Sequence, residues 1–452
     1  MNIKKTIIKF SGILSVLLLI SCDDNLELTP QQDIEVKDVI TTEKGVKNVL
    51  IAAYEVAGSN DLLGGGIHNA SELLGNDQLI NFGGTFNTLR QYSIKQITVI
   101  NTDVSGIWID SYRAINQANI VLANSDVIKD EEERSRLEGE AKFIRGAVYF
   151  ELIKLFGKTY QEGGQNTQPG VPLVLLPTLN LDEIKEPSRN TVEEVYTQIL
   201  TDLTEAYNIL PEANAEFADK YVVKALMARV YLQQQAYEEA RDAANEVIQN
   251  SAFELQDNYE DAFNNPEDAR EDIFAWQITI QNGRNEMNTH WAPENFGGRT
   301  GLDIAVNDEY LEIFDDSDDE RRTFFYNADN GRRASTKWQE QYANVPFIRL
   351  AELYLIRAEA NERLGTTEGD SPLNDINRIR TRANAAELTA ITLDDILLER
   401  QRELAFEGFA LHDLKRLGGS VDGIDANDDK LVLPIPQREM DANPNLTQNP
   451  GY

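Results

Sequence analysis

The sequence predicts a mostly α protein, with tetratricopeptide-like helix pairs as scaffold and a large irregular, loop-rich part carried on them. Three observations predict this. Apolar residues recur at the helical period over much of the chain. A small residue one turn before a tyrosine recurs on apolar helices, at Gly146-x-x-Tyr149, Ala228-x-x-Tyr231 and Ala351-x-x-Tyr354. Long stretches of poor periodicity lie between the helices, and they hold too many aromatic and aliphatic residues to be plain linkers.

The elements follow in order. Val46, Val49, Leu50, Ala53 and Tyr54 form one helix face, and Trp108, Tyr112, Ile115, Asn119 and Leu122 a second. A third helix runs from Glu131 to Phe156 and stops at Gly157. Thr191 with Glu194 three residues on is a capping box, and that helix closes at Pro211. Further helices are expected at Ala218 to Gln234, Tyr237 to Asn250, Phe347 to Leu364, Ser371 to Ala383 and Leu393 to Leu417. Ala240, Ala244 and Val247 follow the second small–Tyr motif at tetratricopeptide spacing, where small residues let paired helices close up. Tyr149, Tyr231 and Tyr354 therefore read as core. The irregular stretches are Gly58 to Thr102, Gly163 to Arg189 and Ala252 to Ala305, with short strands expected at Val171 to Leu176 and Ile273 to Ile278.

The N-terminus fixes the compartment. Lys4, Lys5 and Lys9 precede an apolar run that Ser11, Gly12 and Ser15 break, so it falls short of the about 20 residues needed to span a bilayer. Leu19-Ile20-Ser21-Cys22 reads as a lipobox, making residues 1–21 a signal peptide and Cys22 the lipidated residue. Residues 22–37, with Asp23, Asp24 and Pro30, read as a tether. Cys22 is the one cysteine, so the body folds without disulfides and without a thiolate metal site or cysteine nucleophile.

The net charge of −34 becomes about −37 once the leader lysines are gone. Nucleic-acid binding needs a basic footprint, and adhesion to anionic headgroups needs the same; both are excluded. Membrane attachment rests on lipid alone.

Motifs for catalysis are sparse. His68, His290 and His412 sit in unrelated contexts, and there is no zinc helix, nucleophile elbow, P-loop or dinucleotide fingerprint. Gly64-Gly65-Gly66 reads as a flexible loop, because the strand–turn–helix context of a phosphate site is missing. Asp425 to Asp429 begins like a calcium loop but lacks its glycine and its distal glutamate. No metal and no cofactor is expected. Glu399, Glu403 and Glu407 would share a helix face beside Arg400 and Arg402. They could be a glycosidase acid/base pair, but arginines such as Arg349, Arg378 and Arg380 would keep them ionised, and structural ion pairs are the favoured reading.

Several stretches carry a resemblance. Phe347 to Glu359, Glu399 to Gly408 with Asp413-Leu-Lys-Arg416, and Leu433-Pro-Ile-Pro436 through Asn443-Pro444 to Tyr452 resemble the SusD/RagB family of outer-membrane nutrient-binding lipoproteins of Bacteroidota. Thr41 to Tyr54, Trp108 to Leu122 and Glu140 to Gly157 look like that family's first helices, so the resemblance covers nearly the whole mature chain.

The resemblance implies a single intertwined SusD-like domain over residues 38–452 and no enzymatic activity. It implies a lipid-anchored protein on the outer face of the outer membrane, partnered with a SusC-like TonB-dependent transporter. The ligand would be a glycan, or a peptide in some relatives. Asp23 and Asp24 resemble the signal for export to the surface. Trp108 and Tyr112 match a structural motif rather than a ligand platform. The ligand face would come from two variable loops, about 58–102 and 281–302. Sugar recognition needs aromatic faces together with amides, carboxylates or arginine. In the later loop Trp291 leads, flanked by His290 and followed by Phe296 and Arg299. In the earlier one the set is Asp77, Asn81, Phe82, Phe86, Arg90 and Tyr92.

Overall fold

The computed structural model describes residues 36–76, 78–278 and 283–452. The leader, Cys22, the tether up to residue 35 and Asp77 lie outside the described residues.

Apart from the short helices Val36–Val39, Glu309–Glu312 and Gln437–Ala442, the helices in chain order are α1 (Glu43–Ala57), α2 (Gly66–Gly75), α3 (Asn87–Ser93), α4 (Thr102–Asn124), α5 (Glu131–Phe156), α6 (Val192–Ile209), α7 (Lys220–Gln233), α8 (Tyr237–Asn250), α9 (Glu286–Trp291), α10 (Leu350–Leu364), α11 (Pro372–Arg382), α12 (Leu393–Glu403) and α13 (Ala410–Leu417). They pack as α1 on α4, α5 on α6, α7 on α8 and α10 on α11, and each pair touches the next. This is the tetratricopeptide-like scaffold.

Small residues make the pairs close. A Cβ on Gly146 would sit 3.1 Å from the Leu203 side chain, and one on Gly139 2.6 Å from Leu210, so α6 lies almost on the α5 backbone. Buried arginine–carboxylate pairs then lock neighbouring helices. Arg145 of α5 holds Asp202 of α6 (2.9 and 2.6 Å), Arg229 of α7 holds Glu352 of α10 (2.8 and 2.6 Å), and Arg357 of α10 holds Asp375 of α11 (2.9 and 2.6 Å). Two parallel N–H···O bonds fix direction as well as distance, so these pairs set the helix register. Thr191 caps α6 with both halves of the capping box present. Trp108 is buried, its ring 5.0 Å from both Tyr112 and Phe156, and Tyr149 is buried as well.

The strands are β1 (Ile80–Phe82), β2 (Asp272–Trp276), β3 (Ile304–Val306), β4 (Phe325–Asn327), β5 (Arg333–Ser335), β6 (Val345–Arg349), β7 (Ser420–Val421) and β8 (Ile424–Asp425). A four-stranded antiparallel sheet has the order β1-β3-β5-β4, while β2 pairs with β6 and β7 with β8. β1 and β3 bring residues 80–82 opposite 304–306, so the two variable loops are stitched together at their bases.

Three expectations from the sequence are corrected. Phe347 to Arg349 is strand, and the helix begins at Leu350, because β6 finds β2 as an apolar partner. Val171 to Leu176 is not a strand but a strap across α4 and α5, whose backbone is satisfied by side chains. Tyr149 Oη accepts from the Val174 N–H (2.7 Å), Asn119 donates to the Val174 carbonyl (2.8 Å), and Tyr112 donates to the Pro172 carbonyl (2.8 Å). The expected helix over Leu393 to Leu417 breaks between α12 and α13, with Phe406 at φ 68° and Gly408 at φ 89°.

That break is tied to α2. Glu72 Oε1 accepts from the backbone N–H groups of Gly408 (2.8 Å) and Phe409 (3.1 Å), and burial pushes its carboxyl up to about 7. Between the unfolded value and that figure the folded protein holds a proton that the unfolded chain releases. This contribution to stability therefore falls as pH rises through that window. Glu72→Gln keeps the acceptor and removes the charge. Urea unfolding is expected to give matching stabilities near pH 4 and a gain of about 1–3 kcal/mol for the variant at pH 8; equal stabilities at pH 8 would contradict it.

Candidate functional site

The glycine triplet is a close-packed turn rather than a flexible loop. A Cβ on Gly64 would meet the Gly58 carbonyl at 2.5 Å, and one on Gly65 (φ 141°) would meet Glu286 Cβ at 2.8 Å. Glycine is therefore required where the start of α9 lies on the entry to α2, and the Glu286 N–H donates to the Gly64 carbonyl (3.0 Å). The two variable segments are thereby held against each other.

Two cavities open along this seam. The larger, about 520 Å³, is walled by Tyr54, Phe217, Phe274 and Trp276, with Arg284 and the acids Glu55, Asp61, Asp110 and Glu216 around it. The smaller, about 90 Å³, lies between Phe86, Tyr92, Asn69, Asp103, Glu286 and His290. Asn60 and Asp61 line both, so the two adjoin.

The electrostatics of the seam are acidic. Burial, then repulsion by Asp110, Asp103 and Glu286, pushes the Asp61 carboxyl up to about 6; the side chain reaches water at the rim, so solvent tempers the burial part. Burial raises Asp103 as well. Burial pulls the His290 imidazole down, but Asp303 at Nδ1 (2.8 Å) and Glu286 at Nε2 (2.9 Å) more than offset this and leave it above its ordinary value.

The sequence-predicted residues divide into three groups. Phe86 is 42% exposed, with the Arg299 guanidinium 4.1 Å above its ring and His290 edge-on at 5.7 Å. Arg299 Nε also lies 3.0 Å from Asp303, without hydrogen-bond alignment. Phe296 is half-buried against Tyr326 (4.9 Å), while Arg90 lies over Phe82 (5.5 Å) at the surface. Asn81 is exposed on β1 and accepts from Arg332 (2.6 Å). His290 and Tyr92 are buried but line the small cavity. Trp291 is a correction. It is 0% exposed, donates Nε1–H to Asn69 Oδ1 (2.8 Å) and packs on Phe406 (5.1 Å), so it offers no face to a ligand. Asp77 lies outside the described residues.

The carboxylates of the C-terminal segment form a structural knot. Glu403 meets Arg349 (3.0 Å), Arg321 (3.3 Å) and Arg382, and Glu407 meets Arg349 (2.8 Å) and Lys337 (2.5 Å). Glu399 meets Arg321 (2.6 Å) and Arg380 (3.0 Å). Burial alone would raise Glu403 and Glu407, yet the surrounding cations hold both below the usual carboxylate range. A general acid must be protonated near its working pH, which this arrangement opposes. Arg378 takes no part, pairing instead with Asp370 (3.1 Å). Asp425 accepts locally from the Asn427 N–H (2.9 Å), and no metal-binding cluster occurs among the described residues.

Sequence reasoning missed Tyr54, Phe217 and Trp276 as cavity walls, since each reads as an apolar core position. Asp61 and Arg284 fall inside the two variable loops, and that placement was the available signal.

Residues 24–232 match a family model described as starch-binding, associating with the outer membrane, and residues 204–432 match that of the SusD family. SusD-like protein P2 of Formosa agariphila is 24% identical, over 98% of this chain and 99% of its own length. The starch-binding protein SusD of Bacteroides thetaiotaomicron is 24% identical, over 75% and 76%. The fold is that of a SusD superfamily crystal structure from the latter species, with a TM-score of 0.82 at 24% identity over 90% of this chain and 100% of that one. Surface glycan-binding protein A of Bacteroides uniformis superposes with a TM-score of 0.74 at 21% identity, over 90% and 99%.

Proposed function

The chain belongs to the SusD/RagB family, and on that premise we propose that it is a surface lipoprotein that captures oligo- or polysaccharide and passes it to a SusC-like TonB-dependent transporter. The observation that carries this reading is the junction of the two variable segments at one face, where exposed aromatic and arginine side chains border two adjoining cavities. A sugar ring has apolar C–H faces and polar edges, and Phe86 beside Arg299 offers partners for both. Phe82, Arg90, Asn81 and Phe296 extend the face. The binding role needs no chemistry, in keeping with the ionised, buried state of Glu403 and Glu407. Cys22, closing the Leu19-Ile20-Ser21-Cys22 lipobox, supplies the anchor. The outer surfaces of the helix pairs are left for the transporter.

The test is a binding screen of the soluble chain, starting after Cys22, against polysaccharides and peptides. One glycan class is expected to be retained. Phe86→Ala with Arg299→Ala is expected to weaken it roughly tenfold, about 1.4 kcal/mol, with an unchanged melting temperature. Retention of peptides alone would replace the glycan reading with a peptide-binding one.

A further inference from the structure

We propose that the small cavity at the junction of the two variable segments is a subsite for a protonated amine, so that the preferred glycan carries free amino groups, as in a 2-amino-2-deoxyhexose. The inference rests on the glycan reading above and narrows its substrate class. Three carboxylates from separate elements converge there: Asp61 ahead of α2, Asp103 in the first turn of α4 and Glu286 at the start of α9. Among the described residues neither Asp61 nor Asp103 pairs with a lysine or arginine. The one cation lining the cavity is His290, and both its ring nitrogens are already engaged, by Asp303 and Glu286. The cavity lining is thus short of positive charge; burial raises both Asp61 and Asp103, and the neighbouring carboxylates add to the rise of Asp61.

A second, independent feature points the same way. Asn69 and Tyr92 line the cavity, each about 99% buried, and Asn69 Nδ2 and Tyr92 Oη have no hydrogen-bond partner. Buried polar atoms are normally paired, so two orphans on residues that line one cavity mark a place for a polar ligand group. Trp291 Nε1–H occupies Asn69 Oδ1, which fixes the amide and leaves its N–H₂ as the free donor. An ammonium would donate to Asp61, Asp103 and the Tyr92 hydroxyl, and a neighbouring hydroxyl would accept from Asn69. An amino sugar carries that pair on adjacent carbons. The 90 Å³ holds about three water-sized groups, enough for the amine and its neighbour, and the ring would lie in the adjoining 520 Å³ space, against the wall that Trp276 and Tyr54 form together.

Calorimetry at physiological salt would compare β-1,4-linked tetrasaccharides of glucosamine, N-acetylglucosamine and glucose, together with a lysine-rich peptide. The glucosamine tetramer is expected to bind at least tenfold tighter than either other sugar. Asp103→Asn, and separately Tyr92→Phe, are expected to erase that preference. Glu131→Gln, on a side chain 88% exposed at the distant start of α5, controls for the general field of an acidic protein and should leave the preference intact. Equal affinities for the three sugars would overturn the subsite and leave the glycan reading standing. So would a preference that Glu131→Gln reduces as much as Asp103→Asn does. Binding of the peptide alone would overturn both. Melting temperatures identify any variant that fails to fold, and Asp61→Asn then takes its place.

Discussion

Glu403→Ala is expected to cost about 3–5 kcal/mol of stability, the range found when one partner of a buried ion pair is removed. The side chain is fully buried, and Arg321, Arg349 and Arg382 all converge on it. Removing it leaves these three arginines sharing Asp319, Glu399, Glu271 and Glu407, one carboxylate short in a place water does not reach. Glu403→Gln should cost less, because it keeps one acceptor oxygen and the side-chain volume in the cluster, although its N–H₂ then faces the arginine on the other side. The pH dependence has a definite sign. The folded carboxyls of Glu403 and Glu407 sit below their unfolded values, so the unfolded chain binds more protons in the acid range. Their contribution is complete above about pH 4.5 and drains away as pH falls through the range between unfolded and folded values. Urea titrations of wild type and Glu403→Ala should therefore converge as the pH is lowered. A variant with the wild-type midpoint at pH 7 would remove the knot from the list of things that hold this fold together.

The same knot shows what the sequence could and could not disclose. Structural pairing of Glu399, Glu403 and Glu407 was legible, because arginines crowd the neighbouring helices and glutamates four apart invite them. The break after Glu403 was not. Leu404 to Phe409 continues the apolar period, and its interruption serves Lys337, whose ammonium takes the carbonyls of Glu403 and Ala405 (both 2.9 Å) along with Glu407. Lys337 lies far away in sequence, and periodicity is blind to it. The strap at Val171 to Leu176 failed for a related reason: its β-branched residues read as strand, yet its partners are side chains of Tyr149, Asn119 and Tyr112 rather than another strand. By contrast, the capping box at Thr191, the close-packing glycine at 146 and the helix stop at Gly157 are local devices, and each stands where the sequence put it.

Trp291→Ala is expected to destabilise the protein by about 3–5 kcal/mol, as large-to-small changes of buried aromatics do. By composition it was the strongest ligand candidate in the later loop, and the structure turns it inward. Its indole N–H satisfies Asn69 at a separation of 222 residues, and its ring stacks on Phe406, which Tyr310 flanks at 4.8 Å. Truncation would open a cavity under α9 and orphan the Asn69 carbonyl oxygen, so the transfer loss and the unmet polar atom add. The amide would then be free to flip, and the donor it presents to the small cavity would no longer be fixed. A core role therefore predicts a large fall in melting temperature together with weaker discrimination among ligands. Phe86→Ala is the opposite case, with a small change in melting temperature and a direct loss of binding. A Trp291→Ala protein that melts with wild type but binds nothing would return the indole to the ligand face and overturn this placement.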